Sequence, residues 1–352
     1  MEKPNDFKQL KKAVLKGDAE AQYELGECYY EGQGVSRNYA KAVEWYAKAA
    51  EQGYADAQAY LGVCYANGTG VLQDYGKARE WYSKAAKQGN VCAQSNLGVS
   101  YYNGDGVEQD YKTAVKWFAK AAEQGAEVAQ TALGKRYFYG EGVRKNYKTA
   151  AEWFTKAAEQ DDAEAQSNLG YCYEKGLGVG KDYVKAAEWY AKAAAQGDAE
   201  AQFGLGYCYD RGRGVSKDYA KAVEWYSASA AQGDESAQYN LGSCFFKGEG
   251  VTQDYKRAVE WYAKAAMQGD SDAQGALSEC YYCGEGVRKN YRKAVEWLSR
   301  AAEQGCKWAQ NNLGFCYSVG RGVVKNMETA KYWWEKSAAQ GYRSAIKALE
   351  KL

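Results

Sequence analysis

Asp18-Ala19-Glu20-Ala21-Gln22-Tyr23-Glu24-Leu25-Gly26-Glu27-Cys28-Tyr29-Tyr30-Glu31-Gly32-Gln33-Gly34-Val35 is the stretch that decides the fold. Its apolar residues at 21, 25, 28 and 29 have helical spacing, not the alternation of a strand. Gly32 and Gly34 break the run, and two glycines supply the positive φ that a tight interhelical turn needs. Asn38 then opens a second helix over residues 39–51, its short acceptor side chain capping the free amides of the first turn. Ala42, Trp45, Tyr46, Ala49 and Ala50 share one face of that helix, and Gly53 ends it.

The hairpin recurs without insertion. Nine of the eleven tryptophans, Trp45, Trp81, Trp117, Trp153, Trp189, Trp225, Trp261, Trp297 and Trp333, stand 36 residues apart. They define nine repeats, 18–53, 54–89, 90–125, 126–161, 162–197, 198–233, 234–269, 270–305 and 306–341. One array therefore replaces the two or three globular domains that 352 residues would suggest. A column here means positions 36 residues apart. The columns of Ala21, Ala42 and Ala50 are Ala throughout, and those of Gln22 and Gln52 are Gln throughout. The Gly26 column departs from Gly only at Ser278, and the Gly53 column only at Asp161. Small residues let facing helices approach while Tyr and Trp fill the space between them. This assignment places the Trp column in the core, so Trp189→Ala is expected to cost about 3–5 kcal/mol. Neither helix pair buries its face alone, and stacking shares stability along the array. Residues 1–17 read as an N-terminal capping helix, since Asp6–Lys16 keeps second-helix register without the Trp. Residues 342–352 read as a C-terminal capping helix in first-helix register through Ala345 and Leu349.

Composition narrows the function. There is no histidine, which removes Ser-His-Asp and Cys-His catalysis and His-ligated metals. Lys and Arg number 46 against 45 Asp and Glu, so no basic surplus drives nucleic-acid binding and none is expected. No apolar run of membrane-spanning length exists, so membrane insertion is not expected.

The pattern A-Q-x-x-L-G-x-x-Y-x-x-G-x-G-V-x-x-[DN]-Y-x-x-A-x-x-W-[YF]-x-K-A-A-x-Q-G closely resembles the Sel1-like repeat family, relatives of tetratricopeptide repeats, over about residues 6–351. The resemblance implies an all-α fold: an α-solenoid, a right-handed superhelix of helix-turn-helix repeats whose first (A) helices line a concave groove. It also implies a scaffold for protein complexes. The single cysteine per repeat departs from the disulfide-bearing branch of that family, in which each repeat carries its own pair.

Comparison of the nine repeats separates fixed columns, which serve packing, from variable ones free for recognition. On the A helix the variable columns are those of Glu20, Tyr23, Glu27, Tyr30 and Glu31. By the hairpin geometry of the family they face the groove, where exposed Tyr and Phe would be costly unless contacted. The candidate partner-binding residues are Phe138, Tyr139, Tyr171, Lys175, Phe203, Tyr207, Arg211, Tyr239, Phe246 and Lys247. Lys175, Arg211 and Lys247 fall in one column of three successive repeats, a row of charge suited to an acidic or C-terminal peptide segment. Glu174 and Asp210, immediately before two of them, are positioned to neutralise that row.

Seven of the ten cysteines form a column, Cys28, Cys64, Cys172, Cys208, Cys244, Cys280 and Cys316, with Ser100 and Arg136 in the other two places. Neighbours in that column lie a helix pair apart, beyond disulfide reach, and read as buried small hydrophobes. Cys280 and Cys283 form a lone C-Y-Y-C without a second pair, so no metal is expected, and no cofactor either. The invariant glutamines read as links between one repeat's backbone and the next.

The leading expectation is a non-enzymatic adaptor, acting as a monomer, that binds a peptide or partner protein in a preformed groove. The alternatives are an enzyme or enzyme subunit with weak hydrolase activity, and an RNA-binding helical repeat. Reduced thiols favour a cytoplasmic location, with a periplasmic or secreted one as the alternative if an export signal has been removed.

Overall fold

The computed structural model describes Leu10 and residues 12–352, and every regular element among them is a helix. The A helices run Ala19–Glu31, Ala55–Asn67, Val91–Asn103, Glu127–Tyr139, Ala163–Lys175, Ala199–Arg211, Glu235–Lys247, Ser271–Cys283 and Lys307–Val319. The second, or B, helices run Tyr39–Glu51, Tyr75–Lys87, Tyr111–Glu123, Tyr147–Ala158, Tyr183–Ala195, Tyr219–Ala231, Tyr255–Gln268, Tyr291–Glu303 and Met327–Ala339. The chain forms two compact units of stacked hairpins, an all-α solenoid architecture. One unit runs up to Cys172 and takes in Gly176–Gly180; the other holds Tyr173–Lys175 and Lys181–Leu352.

Local chemistry sets every boundary. Asn38 accepts a hydrogen bond from the Lys41 amide at 3.0 Å, and Asp74 accepts one from Lys77 at 2.9 Å. Six of the nine A helices are capped the same way, with Asp18 accepting from the Ala21 amide at 2.8 Å, while Tyr54, Ala126 and Cys306 precede the other three without a side-chain cap. Gly32, at φ +79°, closes the A helix by donating to the Cys28 carbonyl. The second turn glycine has a further reason, because a Cβ at Gly70 would lie 2.4 Å from the Tyr39 carbonyl oxygen of the preceding repeat. Close backbone approach between repeats thus demands it. Asp161 shows the other case: it adopts φ +66° at the one place where the B-helix glycine is missing, and equivalent glycines such as Gly53 face open space.

Each hairpin is held by a ring pressed on bare backbone. Tyr46 is fully buried, and a Cβ on Gly26 would come within 2.6 Å of its ring. The same distance holds for Gly62 against Tyr82 and for Gly98 against Phe118. Glutamines join successive hairpins. Gln58 donates to the Ala50 carbonyl of the preceding repeat at 3.0 Å, while Gln88 donates to Gln58 at 2.8 Å and to the Gly53 carbonyl at 3.0 Å.

The Trp column corrects one expectation. The nine repeat tryptophans are half-buried, not core residues; the buried ring is the next residue along, in the Tyr46 column. Trp225 leans on the edge of the cluster built by Ala186, Tyr190, Leu205 and Cys208. In eight of the nine repeats a cation three residues on covers the tryptophan, as Lys48 does over Trp45 at 3.8 Å, Lys264 over Trp261 at 3.8 Å and Arg300 over Trp297 at 4.3 Å, whereas Ala228 takes that place after Trp225. The 3–5 kcal/mol expected for Trp189→Ala was therefore assigned to the wrong column.

At the C-terminal end, Arg343–Leu349 is helical with Ala345 fully buried, and Leu349 packs beside Trp334. At the N-terminal end, residues 12–15 are helical, and Val14 packs with Leu10 and Ala13 against Ala21 and Leu25. The remainder of the expected N-terminal cap, Asp6 included, lies outside the described residues.

Tyr226 tests the ranking of rings. It is fully buried, yet its hydroxyl has no hydrogen-bond partner among the described residues. In urea unfolding of the full chain, Tyr226→Ala is expected to cost about 3–5 kcal/mol, and Trp225→Ala about 1–3 kcal/mol. Tyr226→Phe should be neutral or stabilising, because it removes an orphaned hydroxyl and keeps the ring. A loss at Trp225 equal to that of Tyr226→Ala would contradict this ranking.

Candidate functional site

The variable A-helix columns lie against the B-helix rings. The Tyr23 column flanks a buried ring on one side, with centroids 5.7 Å apart for Tyr23 and Tyr46, 5.8 Å for Phe203 and Tyr226, and 5.8 Å for Tyr239 and Tyr262. The Tyr30 column flanks it on the other, at 6.3 Å for both Phe138 with Phe154 and Phe246 with Tyr262. Phe138, Phe203, Tyr207, Tyr239 and Phe246 are accordingly half-buried, where exposed rings were expected. Their variability reflects mutual fitting of large and small side chains over the ring, not freedom from packing. Tyr139 and Tyr171 are exposed, at 53% and 41%.

In the first unit, Phe138 gathers three of these rings, with Tyr139 and Tyr147 at 5.1 Å and Tyr171 at 6.2 Å. Nearby, Arg136 explains its place in the cysteine column. Its buried guanidinium lies 3.8 Å from the Tyr102 ring centroid, and its Nε is 3.3 Å from the Glu141 carboxylate. Stacking and an ion pair together offset the cost of burying that charge.

The second unit holds all three cations of the expected row, and each has a carboxylate. Lys175 Nζ lies 2.6 Å from Glu174, Arg211 Nε lies 3.0 Å from Asp210, and Lys247 Nζ lies 3.7 Å from Glu249. Glu174 is buried, accepts a hydrogen bond from the Tyr190 hydroxyl at 3.0 Å, and has Arg213 at 3.9 Å. Arg211 and Arg213 both reach the Tyr207 ring, at 5.5 and 5.1 Å.

Arg213 exposes a site column that sequence reasoning missed. It stands between the two turn glycines, and residues there reach back over the A helix of the preceding repeat. Arg213 approaches Glu174, Glu141 accepts from the Tyr102 hydroxyl at 3.4 Å, and Arg321 donates to the Tyr282 hydroxyl. The available signal was charge in a position otherwise treated as punctuation: Asp105, Glu141, Arg213, Glu249, Glu285 and Arg321 all occupy it.

The cysteines form no disulfides among the described residues. Burial pushes the Cys64 thiol up to about 11 and those of Cys172, Cys208, Cys244 and Cys280 up to about 12. Cys280 is buried and Cys283 exposed, so the two thiols of C-Y-Y-C do not face one environment.

Nine consecutive segments, 19–54, 55–90, 93–125, 128–162, 163–198, 199–234, 235–270, 271–306 and 309–342, match the Sel1 repeat. The chain belongs to the Sel1 repeat family. Proteins built from Sel1 repeats are in general scaffolds for protein interaction, and the fold seen here is that repeat scaffold. The array is similar to a protective antigen present in uropathogenic Escherichia coli strains. That likeness has 40% identity and a TM-score of 0.75, and covers 96% of this chain and 80% of that one. It is also similar to a Sel1 repeat protein from Oxalobacter formigenes, with 36% identity and a TM-score of 0.63, covering 87% and 89%. No curated protein matches the sequence. Among the described residues no helix is long and apolar enough to cross a membrane.

Thiol burial makes a direct prediction for this Sel1 array. Iodoacetamide at neutral pH, read by peptide mass spectrometry, is expected to label Cys92 and Cys283 first. Cys64, Cys172, Cys208, Cys244, Cys280 and Cys316 should react only once the chain is unfolded. Rapid labelling of the buried set in the folded chain would contradict the packing described.

Proposed function

We propose that the Sel1 array is a non-enzymatic adaptor that binds an acidic segment of a partner protein on the A-helix face of its second unit, at Lys175, Arg211 and Lys247. The observation that carries this reading is the asymmetry of the three ion pairs. The cation side chains are 45%, 56% and 60% exposed, while their carboxylates are only 10%, 13% and 34% exposed. Each acid thus steadies its cation from below and leaves the positive group outermost. A carboxylate from a partner meets charge-assisted donors whose positions are already restricted, so less ordering entropy is lost on binding. Tyr207 beneath Arg211 and Arg213, and half-buried Phe203 and Phe246, supply rigid apolar area beside the charges. The Phe138, Tyr139 and Tyr171 cluster gives the first unit a comparable aromatic surface.

Neutral substitutions make the cleanest test, because reversing the charges would set new carboxylates beside Glu174 and Asp210. The triple variant Lys175→Gln, Arg211→Gln, Lys247→Gln is expected to lose at least about tenfold in affinity for acidic peptides, measured by fluorescence anisotropy on a peptide set graded in net charge. Its melting temperature should stay within a few degrees of the parent, as exposed ion pairs contribute about 0–1 kcal/mol each. Unchanged affinity would remove the cation row from the binding surface.

A further inference from the structure

The eighth repeat breaks two columns at once. The Tyr46 column is aromatic in the other eight repeats and Leu298 in this one; the Gly26 column is Gly in the other eight and Ser278 here. These changes are one event in physical terms. A Cβ in the Gly column would lie 2.6–2.8 Å from the ring in repeats such as those of Tyr82, Phe154 and Tyr226, so the ring and the Cβ exclude one another. Ser278 brings the Cβ and Leu298 withdraws the ring. Both side chains are buried.

The exchange does not refill the volume. A cavity of about 300 Å³ opens beside Ser278 and Leu298, walled by Tyr282, Trp308 and Phe315, with Glu279 on its lining. That is the lower end of the size range of small-ligand pockets. Trp308 is a tenth tryptophan outside the period. It has moved in over Gly275, where repeats one, six and seven carry the rings of Tyr23, Phe203 and Tyr239. The wall is therefore rebuilt in aromatic side chains around a space that elsewhere holds a ring.

The other repeats of the chain show what fits that space. In the first repeat the Tyr46 hydroxyl donates to Glu27, and in the seventh the Tyr262 and Ser243 hydroxyls are 3.2 Å apart. Glu27, Ser243 and Glu279 occupy the same column. Glu279 thus stands where a buried phenol finds its acceptor, but Leu298 leaves the Tyr46 column of its own repeat without one. It is exposed, and it makes no ion pair or hydrogen bond among the described residues.

We propose that this cavity is a docking pocket for the phenol ring of a tyrosine side chain presented by a partner protein, with Glu279 accepting the hydroxyl. The source of the ring rests on the partner-binding reading above; the affinity of the pocket for a phenol does not. An acceptor placed for the hydroxyl selects tyrosine over phenylalanine, since a ligand lacking the donor leaves the carboxylate unserved. The pocket is also distinct from the cation row, which lies on earlier repeats.

The test uses the full chain and N-acetyl-tyrosinamide as the probe, with the phenylalanine and lysine amides as comparators, in saturation-transfer NMR titrations. The expected result is millimolar binding of the tyrosine amide, several-fold tighter than the phenylalanine amide. Glu279→Ala, which leaves no side-chain acceptor, should bring tyrosine down to the phenylalanine level. The double variant Ser278→Gly, Leu298→Tyr restores the glycine and ring of the other repeats and plugs the pocket with its own phenol. It should melt no lower than the parent and lose binding by at least about tenfold. Absence of transfer to any ring overturns the proposal. So does preference for the lysine amide, which would mark an aromatic cage for cations, or undiminished binding by the plugged variant. Loss of phenol binding with acidic-peptide capture intact would sink the pocket alone, and the converse result would sink only the cation row.

Discussion

A ring lying on a glycine is the contact from which the remaining geometry follows. In the first repeat only hydrogen on Gly26 separates the A-helix backbone from Tyr46, and Gly134 with Phe154 and Gly314 with Trp334 repeat the arrangement. Helices that touch this closely leave no room for a shifted register, because a one-residue slip would replace the glycine with a side chain facing the ring. The contact accounts for the strict 36-residue spacing better than the tryptophans do. Trp45 and its equivalents lie at the edge of each layer, all but Trp225 under a lysine or arginine, and guard the seam between hairpins. Even the exceptional eighth repeat obeys the constraint by changing both partners together.

Stacking then requires that helix ends meet without stranded polar groups. The glutamine ladder meets that need. The Gln22 column answers a carbonyl near the end of the preceding B helix, and the Gln52 column answers both that glutamine and the carbonyl of the glycine that follows. The second turn glycine admits the backbone of the neighbouring repeat, where any side chain would collide with a carbonyl. Since each repeat supplies a ladder rung to the next, stability is shared between neighbours and does not belong to a single hairpin.

The surface left after packing is organised charge. A buried or half-buried acid on an A helix holds an exposed cation, as Glu174 holds Lys175 and Asp210 holds Arg211. The turn residue of the next repeat reaches back to the same helix, as Arg213 does to Glu174. A scaffold of this kind offers a partner a preformed pattern of donors and rings, and its repeats can diverge in that pattern without disturbing the ring and glycine contact beneath.

Much of this was legible in the residues alone. The 3.6-residue spacing of Ala21, Leu25 and Cys28, the paired glycines and the acidic caps are local signals, acting within one or two helical turns, and they specified the hairpin and its period. The invariance of Gln22 and Gln52 announced a link between repeats. The depth of each ring was not legible, because Trp45 and Tyr46 are adjacent on one helix and only the position of the neighbouring hairpin decides which is covered. For the same reason the variable rings of Phe203, Tyr239 and Phe246 read as free surface but lie against Tyr226 and Tyr262. The cation row was visible in the sequence and its first two acids were suspected. That the acids sit below and the cations above, with Tyr190 holding Glu174, that Arg213 joins Glu174 from the next repeat, and that Ser278 and Leu298 enclose a cavity depend on contacts between residues 16 to 39 positions apart. Only the tertiary structure sets those distances, since it alone determines which helix a side chain meets.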